Sequence, residues 1–429
     1  MIIFIAYIVL FLSFFNLLRM AFFIIASDVH DIKKSLSTNK NITTSKLGRK
    51  KYPLVSVVVP AHNEELTLSR NLESIRKSYY KKIELIIVND SSTDRTYNIA
   101  RSFQKKHRAR FSRIKVINVQ VRGKAGALNA ALRHVRGELF MCLDADSALT
   151  PESIEIAVND FRDPTLACMS SNVKIFSEKG ALNFFQRIEY LVCYQMKKAE
   201  TVAGIQYIVG GIGSMFRTSL VKQIGGYDTD TITEDIDLSM KIISEFGGKY
   251  RVGYNPNVIT YTESVHDIKG LFRQRFRWKY GRYQAFLKHK NLFWSNDKRY
   301  SKSLSWIYLP YALLSELFYI LEPLILVLIT YLLVRYGDAT IIASSFLIFS
   351  FYTTMHVTAA TSGYTTRERL NFIAAAPFAY MGMYVLSLVE YSATIYGLRN
   401  LKKIFSDHRT GTGTSAWKHV ERKGNAVIS

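Results

Sequence analysis

Cysteine is scarce in this chain of 429 residues, which contains only Cys142, Cys168 and Cys193. Three cysteines cannot build a disulfide framework, and no cluster of cysteine and histidine has the spacing of zinc ligands. We therefore expect the parts that carry them to lie in a reducing compartment. Proline is also scarce, with eight residues, and 21% of the residues are charged, which excludes collagen-like, low-complexity and wholly disordered proteins.

Acidic residues are outnumbered, with 34 Asp and Glu against 57 Lys and Arg and a formal net charge of +23. Such an excess predicts an anionic partner, which could be nucleic acid, a phosphate-rich substrate or anionic lipid. A mean hydropathy of +0.03 is high for so charged a chain, so apolar and charged residues occupy separate segments. Because the basic residues concentrate beside the apolar segments, we expect a lipid bilayer as a partner and no nucleic acid.

Residues 1–27 are predicted to form an N-terminal transmembrane helix, because about 20 apolar residues suffice to cross a bilayer core. A cleaved signal peptide fits less well, since the apolar run is too long and no basic segment precedes it. Residues 28–51 form a basic juxtamembrane linker. By the positive-inside rule, this linker places the N-terminus outside and the following chain in the cytoplasm.

Three further apolar stretches, at about 304–334, 340–361 and 371–398, predict C-terminal transmembrane helices over 304–398, followed by a basic tail over 399–429. One helix plus three would leave this tail outside, yet its seven basic residues against two acidic ones favour the cytoplasm. The conflict disappears if 304–334, which prolines and glutamates interrupt, is an interfacial helix plus a span, or two short spans. The sequence predicts a multi-pass protein of the cell membrane and leaves the number of spans open.

The region 52–265 has the composition of a globular domain. A β-branched run at 54–60 predicts a buried parallel strand, and further strands at 83–89, 114–119 and 139–143 alternate with helical segments at 64–78, 94–106 and 126–134. This alternation predicts an α/β fold with a doubly wound, mostly parallel, Rossmann-like sheet. Ligands of such sheets bind at the carboxyl ends of the strands. Polar residues fall there after three of the four predicted strands: Asn63, Glu64, Asp90, Asp144 and Asp146.

Two later segments look amphipathic. Apolar residues recur at helical spacing over 181–203, and the region 266–303 carries ten basic residues, interleaved with aromatics, in its stretch 273–302. Basic amphipathic helices with aromatic residues are typical of the membrane interface. A solvated basic face on a globular helix stays open as the alternative for each segment.

Two acidic positions after strands can carry chemistry. Asp144 and Asp146 are spaced to hold one divalent cation against a diphosphate, and without a cation the two carboxylates would repel each other. A lone Asp-x-Asp is frequent by chance, so its place after a strand is what favours this interpretation. Asp90 could accept hydrogen bonds from a base or ribose. We expect Asp94 to cap the following helix and Asp90 to stay available to a ligand.

Two further motifs are ambiguous when taken alone. Glu234 and Asp235 follow the glycine-rich segment 210–214 and could equally form the N-terminal cap of the next helix. Gln274, Arg277 and Trp278 offer an amide, a guanidinium group for a diphosphate and an indole face for a sugar. They could also be part of a basic patch at the membrane surface.

Six motifs follow one another in a recognisable order: 60–64 (PAHNE), Asp90, 124–129 (KAGALN), Asp144-x-Asp146, 233–235 (TED) and Gln274-x-x-Arg277-Trp278. Together they resemble the processive, inverting family 2 glycosyltransferases, the group of the cellulose, chitin, hyaluronan and poly-N-acetylglucosamine synthases. The resemblance covers about residues 50–300 and the membrane pattern on both sides. It implies a GT-A-type fold embedded between transmembrane and interfacial helices.

The resemblance implies an inverting, metal-dependent hexosyltransferase with a cytoplasmic catalytic domain. Its donor would be a UDP-sugar, with GlcNAc favoured, its cofactor Mg²⁺ or Mn²⁺, and its acceptor a growing β-linked polysaccharide or oligosaccharide exported through the protein's own helices. Single transfer to a polyprenyl phosphate or another lipid is the alternative within enzymes. A catalytically silent scaffold is disfavoured, because Asp90, Asp144, Asp146 and Asp235 are all present.

The resemblance also assigns roles to individual residues. Asp235 would be the general base, Asp144 and Asp146 would hold the nucleotide and its metal, and Asp90 would contact the uracil and ribose. The remaining residues assigned to substrate binding are Pro60, Asn63, Glu64, Lys124, Glu234, Gln274, Arg277 and Trp278. Two departures stand out: His62 replaces the usual Tyr, and Asn89-Asp90-Ser91 replaces the commoner Asp-Asp-Gly, which bears on how Asp90 is oriented.

Overall fold

A computed structural model describes residues 21–33, 52–121, 123–316 and 364–400, with scattered positions between 11 and 36 and between 327 and 361, and residue 406. Four predicted parts lie mostly outside the described residues: the span 1–27, the linker 28–51, the part of 304–334 after residue 316, and the basic tail. Only scattered positions of the stretch 340–361 are described. Within the described residues, no helix is both long enough and apolar enough to cross a membrane.

The centre of the protein is an eight-stranded sheet in the order β3-β2-β1-β4-β7-β6-β8-β5. Its strands are β1 (Val55–Ala61), β2 (Ile83–Asp90), β3 (Arg113–Val119), β4 (Leu139–Cys142), β5 (Ala148–Leu149), β6 (Leu166–Ile175), β7 (Ser214–Arg217) and β8 (Arg251–Thr262). The first four neighbours, β3 to β4, are all parallel. This half confirms the four strands expected from the sequence, and it aligns their carboxyl ends along one edge.

The other half of the sheet is mixed. β7 runs antiparallel to both β4 and β6, β5 runs antiparallel to β8, and β6 and β8 are parallel to each other. The expectation of a mostly parallel sheet therefore holds for the β3-β2-β1-β4 half only. A strand of four residues, such as β7, carries too little pattern for its direction to be read from sequence.

Nine helices with both ends among the described residues complete the fold between residues 52 and 400. They are α1 (Leu68–Arg76), α2 (Thr96–His107), α3 (Lys124–Leu132), α4 (Ser153–Asp160), α5 (Ala181–Ala203), α6 (Thr218–Gln223), α7 (Glu234–Phe246), α8 (Ile268–Lys288) and α9 (Thr366–Arg399). Short 3₁₀ turns occur at Arg108–Arg110, Gly247–Lys249 and Lys290–Leu292, and Ser303–Tyr308 is π-helical. Residues 21–33 are also helical.

Two hydrophobic cores cover the two faces of the sheet. Val57 of β1 points into one core with Leu72 of α1, whereas the next residue, Val58, points into the other core with Leu128 of α3. Successive side chains of a strand alternate between faces. An apolar run without gaps, as in β1, therefore requires helices on both sides, and this makes the parallel half doubly wound.

The two amphipathic segments form long helices on the catalytic domain. α5 has the predicted bounds, whereas α8 begins at Ile268 and ends at Lys288, well before residue 302. Asp267 fixes the start of α8, because its Oδ1 accepts a hydrogen bond from the backbone N–H of Gly270 at 2.7 Å. The N-terminal helical segment 21–33 packs against α5, where Lys198 forms an ion pair with Asp31 at 2.7 Å.

Candidate active site

The loop after β1 is tied to the loop after β2. Asn63, which has a left-handed φ of 55°, accepts a hydrogen bond on its Oδ1 from the backbone N–H of Thr93 at 2.8 Å. Glu64 donates its backbone N–H to Oγ1 of Thr96 at 2.7 Å, and its side chain accepts from Thr67 at 2.7 Å. Pro60 lies buried within β1 itself. These three predicted site residues thus shape the strand-end loops.

Asp90 is engaged by the protein's own backbone. Its buried carboxylate accepts hydrogen bonds from the N–H groups of Val121, at 3.0 Å, and Gly123, at 2.9 Å. Each oxygen of the Asp90 carboxylate thus already accepts a backbone hydrogen bond, and its contact with a ligand stays a prediction. The chain returning from β3 passes the end of β2, and its amides require acceptors there. Asp94 does serve the helix start, because its Oδ1 accepts from the N–H of Thr96 at 2.9 Å.

Lys124, the first residue of α3, links two distant segments of chain. Its Nζ lies 2.7 Å from Oδ1 of Asp144 and 2.9 Å from Oε1 of Glu234. Burial lowers the pKa of Lys124, but the negative charges of Asp144 and Glu234 outweigh it and raise that pKa well above its usual value. Burial, reinforced by repulsion from Asp146, raises the pKa of Asp144. The ammonium group is therefore the charge that balances this acidic pocket.

Asp235 joins the same cluster through a glycine. Its Oδ2 accepts a hydrogen bond from the backbone N–H of Gly211 at 2.8 Å. A Cβ at Gly211 would lie 2.8 Å from Nζ of Lys124 and 3.5 Å from Oδ2 of Asp235, so a larger residue would enter the space that these groups share. We did not predict Gly211 as a site residue, although the glycine-rich segment 210–214 was the signal for it.

Asp146 lies two residues beyond Asp144 and is buried. Its Oδ1 accepts a hydrogen bond from the hydroxyl of Ser147 at 2.7 Å and a longer one from Thr262 at 3.4 Å. The side chain of Asn71 holds the turn, since its Nδ2 donates to the carbonyl oxygens of Asp144 and Ser147, both at 2.8 Å. The Asp-x-Asp segment is thus fixed by α1 and β8.

The helix α8, which carries Gln274, Arg277 and Trp278, contacts Thr233, the residue directly before Glu234 and Asp235. A Cβ at Gly281 would lie only 2.3 Å from Oγ1 of Thr233, so only glycine allows α8 to approach so closely. Gln284, one turn further on, accepts a hydrogen bond from the N–H of Ile232 at 3.0 Å. Trp278 precedes Gly281 by three residues and so shares its face of the helix.

The three side chains of that motif differ in their surroundings. The guanidinium of Arg275 stacks on Trp278 at 4.4 Å and pairs with Glu189 at 2.5 Å, which fixes the indole. Arg277 is exposed. Oε1 of Gln274 is buried and lacks a hydrogen-bond partner among the described residues. A buried acceptor of this kind is costly unless a ligand or water completes it.

A second acidic cluster fastens the far end of α8 to α7. Asp228, Asp230 and Asp237 lie close enough to share a metal ion. Nζ of Lys288 fills their centre, however, at 2.6, 2.6 and 3.2 Å from the three carboxylates. Nε2 of His289 lies 2.8 Å from Asp237. This cluster is an ionic contact between the two motif-bearing helices.

Parallel strands with carboxylates at their ends, beside a lysine and a glycine-rich loop, define a nucleotide-binding α/β protein. Comparison with known proteins narrows this class. The profile of Glycosyl transferase family 2 matches residues 56–225. The chain is 30% identical over 320 residues to a poly-beta-1,6-N-acetyl-D-glucosamine synthase from Staphylococcus epidermidis, which covers 72% of this chain and 75% of that protein.

Two further comparisons agree. The chain is 29% identical over 286 residues to the enzyme of the same name from Staphylococcus aureus strain COL, covering 65% of this chain and 66% of that protein. The solved mannosyltransferase PcManGT from Pyrobaculum calidifontis, in complex with GDP-Man and Mn²⁺, superimposes with a TM-score of 0.53 at 22% identity, covering 89% of this chain and 97% of that chain. This last likeness shows the GT-A-like fold. The chain belongs to glycosyl transferase family 2 and is an inverting glycosyltransferase.

The contact between Gly281 and Thr233 gives a test of the site. We expect Gly281→Ala to push α8 away from the segment that carries Asp235 and to lower kcat for sugar transfer by up to about 10²-fold, because such shifts misplace reacting groups. Gly397→Ala is the matched control, since a Cβ there meets Tyr283 at an ordinary 3.5 Å. Full sugar-transfer activity of Gly281→Ala would show that this contact is dispensable.

Proposed function

We propose that this glycosyltransferase transfers GlcNAc from UDP-GlcNAc to the end of a growing β-linked polysaccharide, with inversion and with retention of the product between transfers. The sugar and the product are those named for the staphylococcal relatives, which align with this chain over up to 75% of their own length. The observation that carries the proposal is the convergence of Asp144, Glu234 and Asp235 on Lys124 and Gly211.

Asp235 is our choice for the general base. A sugar hydroxyl is a poor nucleophile at neutral pH, so a carboxylate within hydrogen-bond reach must accept its proton, which contributes roughly 10²–10⁴ in rate. Asp235 is held at the start of α7 by the N–H of Gly211, in the same pocket as Asp144. One base and in-line displacement at the anomeric carbon produce inversion.

Lys124 and Arg277 are proposed to bind the diphosphate. Negative charge grows on the departing UDP as the glycosidic bond to the donor breaks, and fixed positive charges lower the barrier where that charge develops. Lys124 is already charged and buried beside the carboxylates. Arg277 is exposed on α8 and free to swing toward a phosphate. Glu234 orients Lys124 through their ion pair.

Asp144 and Asp146 are proposed to hold Mg²⁺ or Mn²⁺. Their oxygen donors suit a hard divalent ion, which would share Asp144 with the ammonium group of Lys124, 2.7 Å from its Oδ1. When bound, the ion would neutralise charge on the diphosphate. The two carboxylates are held in fixed positions for the ion, because Asn71 anchors the turn that carries them.

The remaining motif residues are proposed to bind the two sugars and the nucleotide. Asp90 lies on the side of the cleft that would bind the nucleotide, where its carboxylate positions Val121 and Gly123 by accepting their N–H groups. Pro60, Asn63 and Glu64 form the wall of the same strand-end cleft. Gln274 and Trp278 face the acceptor, where the indole stacks on the terminal sugar and the unpaired amide oxygen of Gln274 accepts a hydroxyl.

The protein is proposed to be a multi-pass component of the cell membrane with its catalytic domain in the cytoplasm. The apolar sequence at 1–27 and within 304–398 and the basic flanks support this placement. Export of the product through those helices would follow from the same arrangement. An accessory subunit is left undefined.

Product analysis tests the proposed function. Purified full-length protein is incubated with a panel of UDP-sugars, and UDP release and product size are measured. We expect UDP-GlcNAc to be consumed fastest and to yield a ladder of oligomers. A single organic-extractable glycolipid would instead identify a single-transfer enzyme with a lipid acceptor.

The role of Asp235 can be separated from nucleotide binding. We expect Asp235→Asn to reduce transfer by at least about 10²-fold, because the amide cannot accept the proton, while UDP affinity measured by calorimetry is largely retained. Glu138→Gln is the control, as it removes an exposed carboxylate next to β4 at the opposite end from the site. Loss of UDP affinity with retained turnover would contradict the assignment of the base.

Metal removal tests Asp144 and Asp146. We expect EDTA to stop transfer and to weaken UDP binding, and added Mg²⁺ or Mn²⁺ to restore both, because without an ion the diphosphate would meet two carboxylates. The Asp146→Asn variant should require more metal for half-maximal activity. Full activity in metal-free buffer would remove both aspartates from this role.

A further inference from the structure

Helix α9 contacts the catalytic part of the protein along almost its whole length. Its N-terminal half contacts the start of α5 through three pairs: Glu368 with Arg187 at 2.7 Å, the rings of Phe372 and Phe184 at 5.8 Å, and Gly382 directly beneath the ring of Phe185. Its C-terminal half follows α8 through three more: Glu390 with Lys279 at 2.8 Å, the rings of Tyr396 and Phe276 at 5.0 Å, and Gly397 beside Tyr283.

These contacts extend over about 44 Å, from residue 368 to residue 397, at 1.5 Å per residue. The two halves meet at Leu386, which packs with Leu182 of α5 and Leu271 of α8. The first turns of α5 contact the N-terminal half of α9, and α8 contacts its C-terminal half. Both helices therefore lie against the buried face of α9.

Both partners of α9 lie on the catalytic domain. Gln186 of α5 donates to the carbonyl oxygen of Val265, at the end of β8, at 2.8 Å, and Lys197 donates to that of Ile208 at 3.3 Å. α8 is held to the segment before α7 by the Gly281 contact already described. A helix that leaves this surface to cross a bilayer core of about 30 Å could keep contact only near one of its ends.

The outward face of α9 is apolar and ends in arginines. Five side chains on one face are between 48% and 61% exposed: Leu370, Phe378, Val385, Leu388 and Tyr396. The opposite face, with Phe372, Ala379 and Ala393, is buried against the protein. Exposed Arg367 and Arg369 flank the stripe at its start, and Arg399 flanks it at its end. Arginines at both ends complement anionic lipid headgroups, and an apolar stripe between them fits the acyl boundary.

We propose that α9 lies flat in the cytoplasmic interface of the bilayer, against α5 and α8, and does not cross the membrane. The inference rests on the proposed function only in placing this protein in a membrane. It revises the predicted span at 371–398. The sequence then predicts three crossings, at 1–27, within 304–334 after residue 316, and at 340–361, because Leu304, Leu309 and Ala312 are buried in one core with α7 and α8. These crossings leave the basic tail in the cytoplasm and remove the charge conflict.

Cysteine labelling of the full-length protein in intact cells tests this. The background variant is Cys193→Ser, because Cys142 and Cys168 are buried and Cys193 is exposed. Thr366→Cys and Arg399→Cys report the two ends of α9, both at exposed positions. Lys81→Cys, exposed on the catalytic domain, is the same-side reference, and Ile2→Cys is the reference for the outside. A membrane-impermeant maleimide is applied before and after permeabilisation.

We expect both ends to label on the same side as Lys81→Cys, which is after permeabilisation only. Labelling of one end in intact cells, with the other end protected, would mean that α9 crosses the membrane and would overturn the proposal. The comparison is between two ends of one helix, so it does not depend on whether the protein polymerises GlcNAc. Failure of the product assay is therefore distinguishable from failure of this inference.

Depth measurements give an independent readout. Spin labels placed singly at Leu370, Val385 and Tyr396 should show the same shallow depth, about 5–10 Å below the headgroups, in vesicles that contain anionic lipid. A crossing helix would instead place Val385 deepest, with the other two positions near opposite interfaces. That profile would overturn the proposal.

Discussion

The charge of Lys124 is the constraint on which the site depends. Three carboxylates, from the end of β4 and the start of α7, lie in a half-buried pocket where each would repel the others. Removing the positive charge between them would leave that repulsion uncompensated. The ammonium group therefore joins the end of β4 to the start of α7 as well as preparing a site for a diphosphate. Asp90 contributes indirectly, because it fixes the segment that delivers Lys124.

Two glycines allow the segments that form the site to approach one another closely. Gly211 leaves room for Lys124 and Asp235 to face each other, and Gly281 lets α8 rest on Thr233. The ionic contact of Lys288 with Asp228, Asp230 and Asp237 then secures the last residue of α8 to the start of α7 and the segment before it. The C-terminal half of the helix that carries Trp278 is thus held at two points against the start of the helix that carries Asp235. Such preorganisation matters in catalysis, because misplacement of reacting groups is expensive.

Much of the first half of the domain could be predicted from the sequence. β1 to β4 and the helices between them follow from apolar runs and helical periodicity, which are local signals. Asp94 could be predicted as a helix-start residue for the same reason. Asp90 could not be judged in this way, since its partners lie 31 and 33 residues further on, in a segment without a pattern of its own. The direction of β7 and the ends of α8 could not be predicted either, because short strands and helix ends carry too little local pattern.

The sequence by itself determined the order of the motifs, the parallel half of the sheet and the family to which the chain belongs. Local composition and spacing encode these features. Only the tertiary structure decided which acids meet, because contacts between Lys124, Asp144 and Glu234 join positions up to 110 residues apart. The same holds for α9, whose apolar sequence by itself predicts a membrane span. Its contacts with α5 and α8 support the interfacial placement proposed above, since periodicity reports that a face is apolar and packing alone reports what covers it.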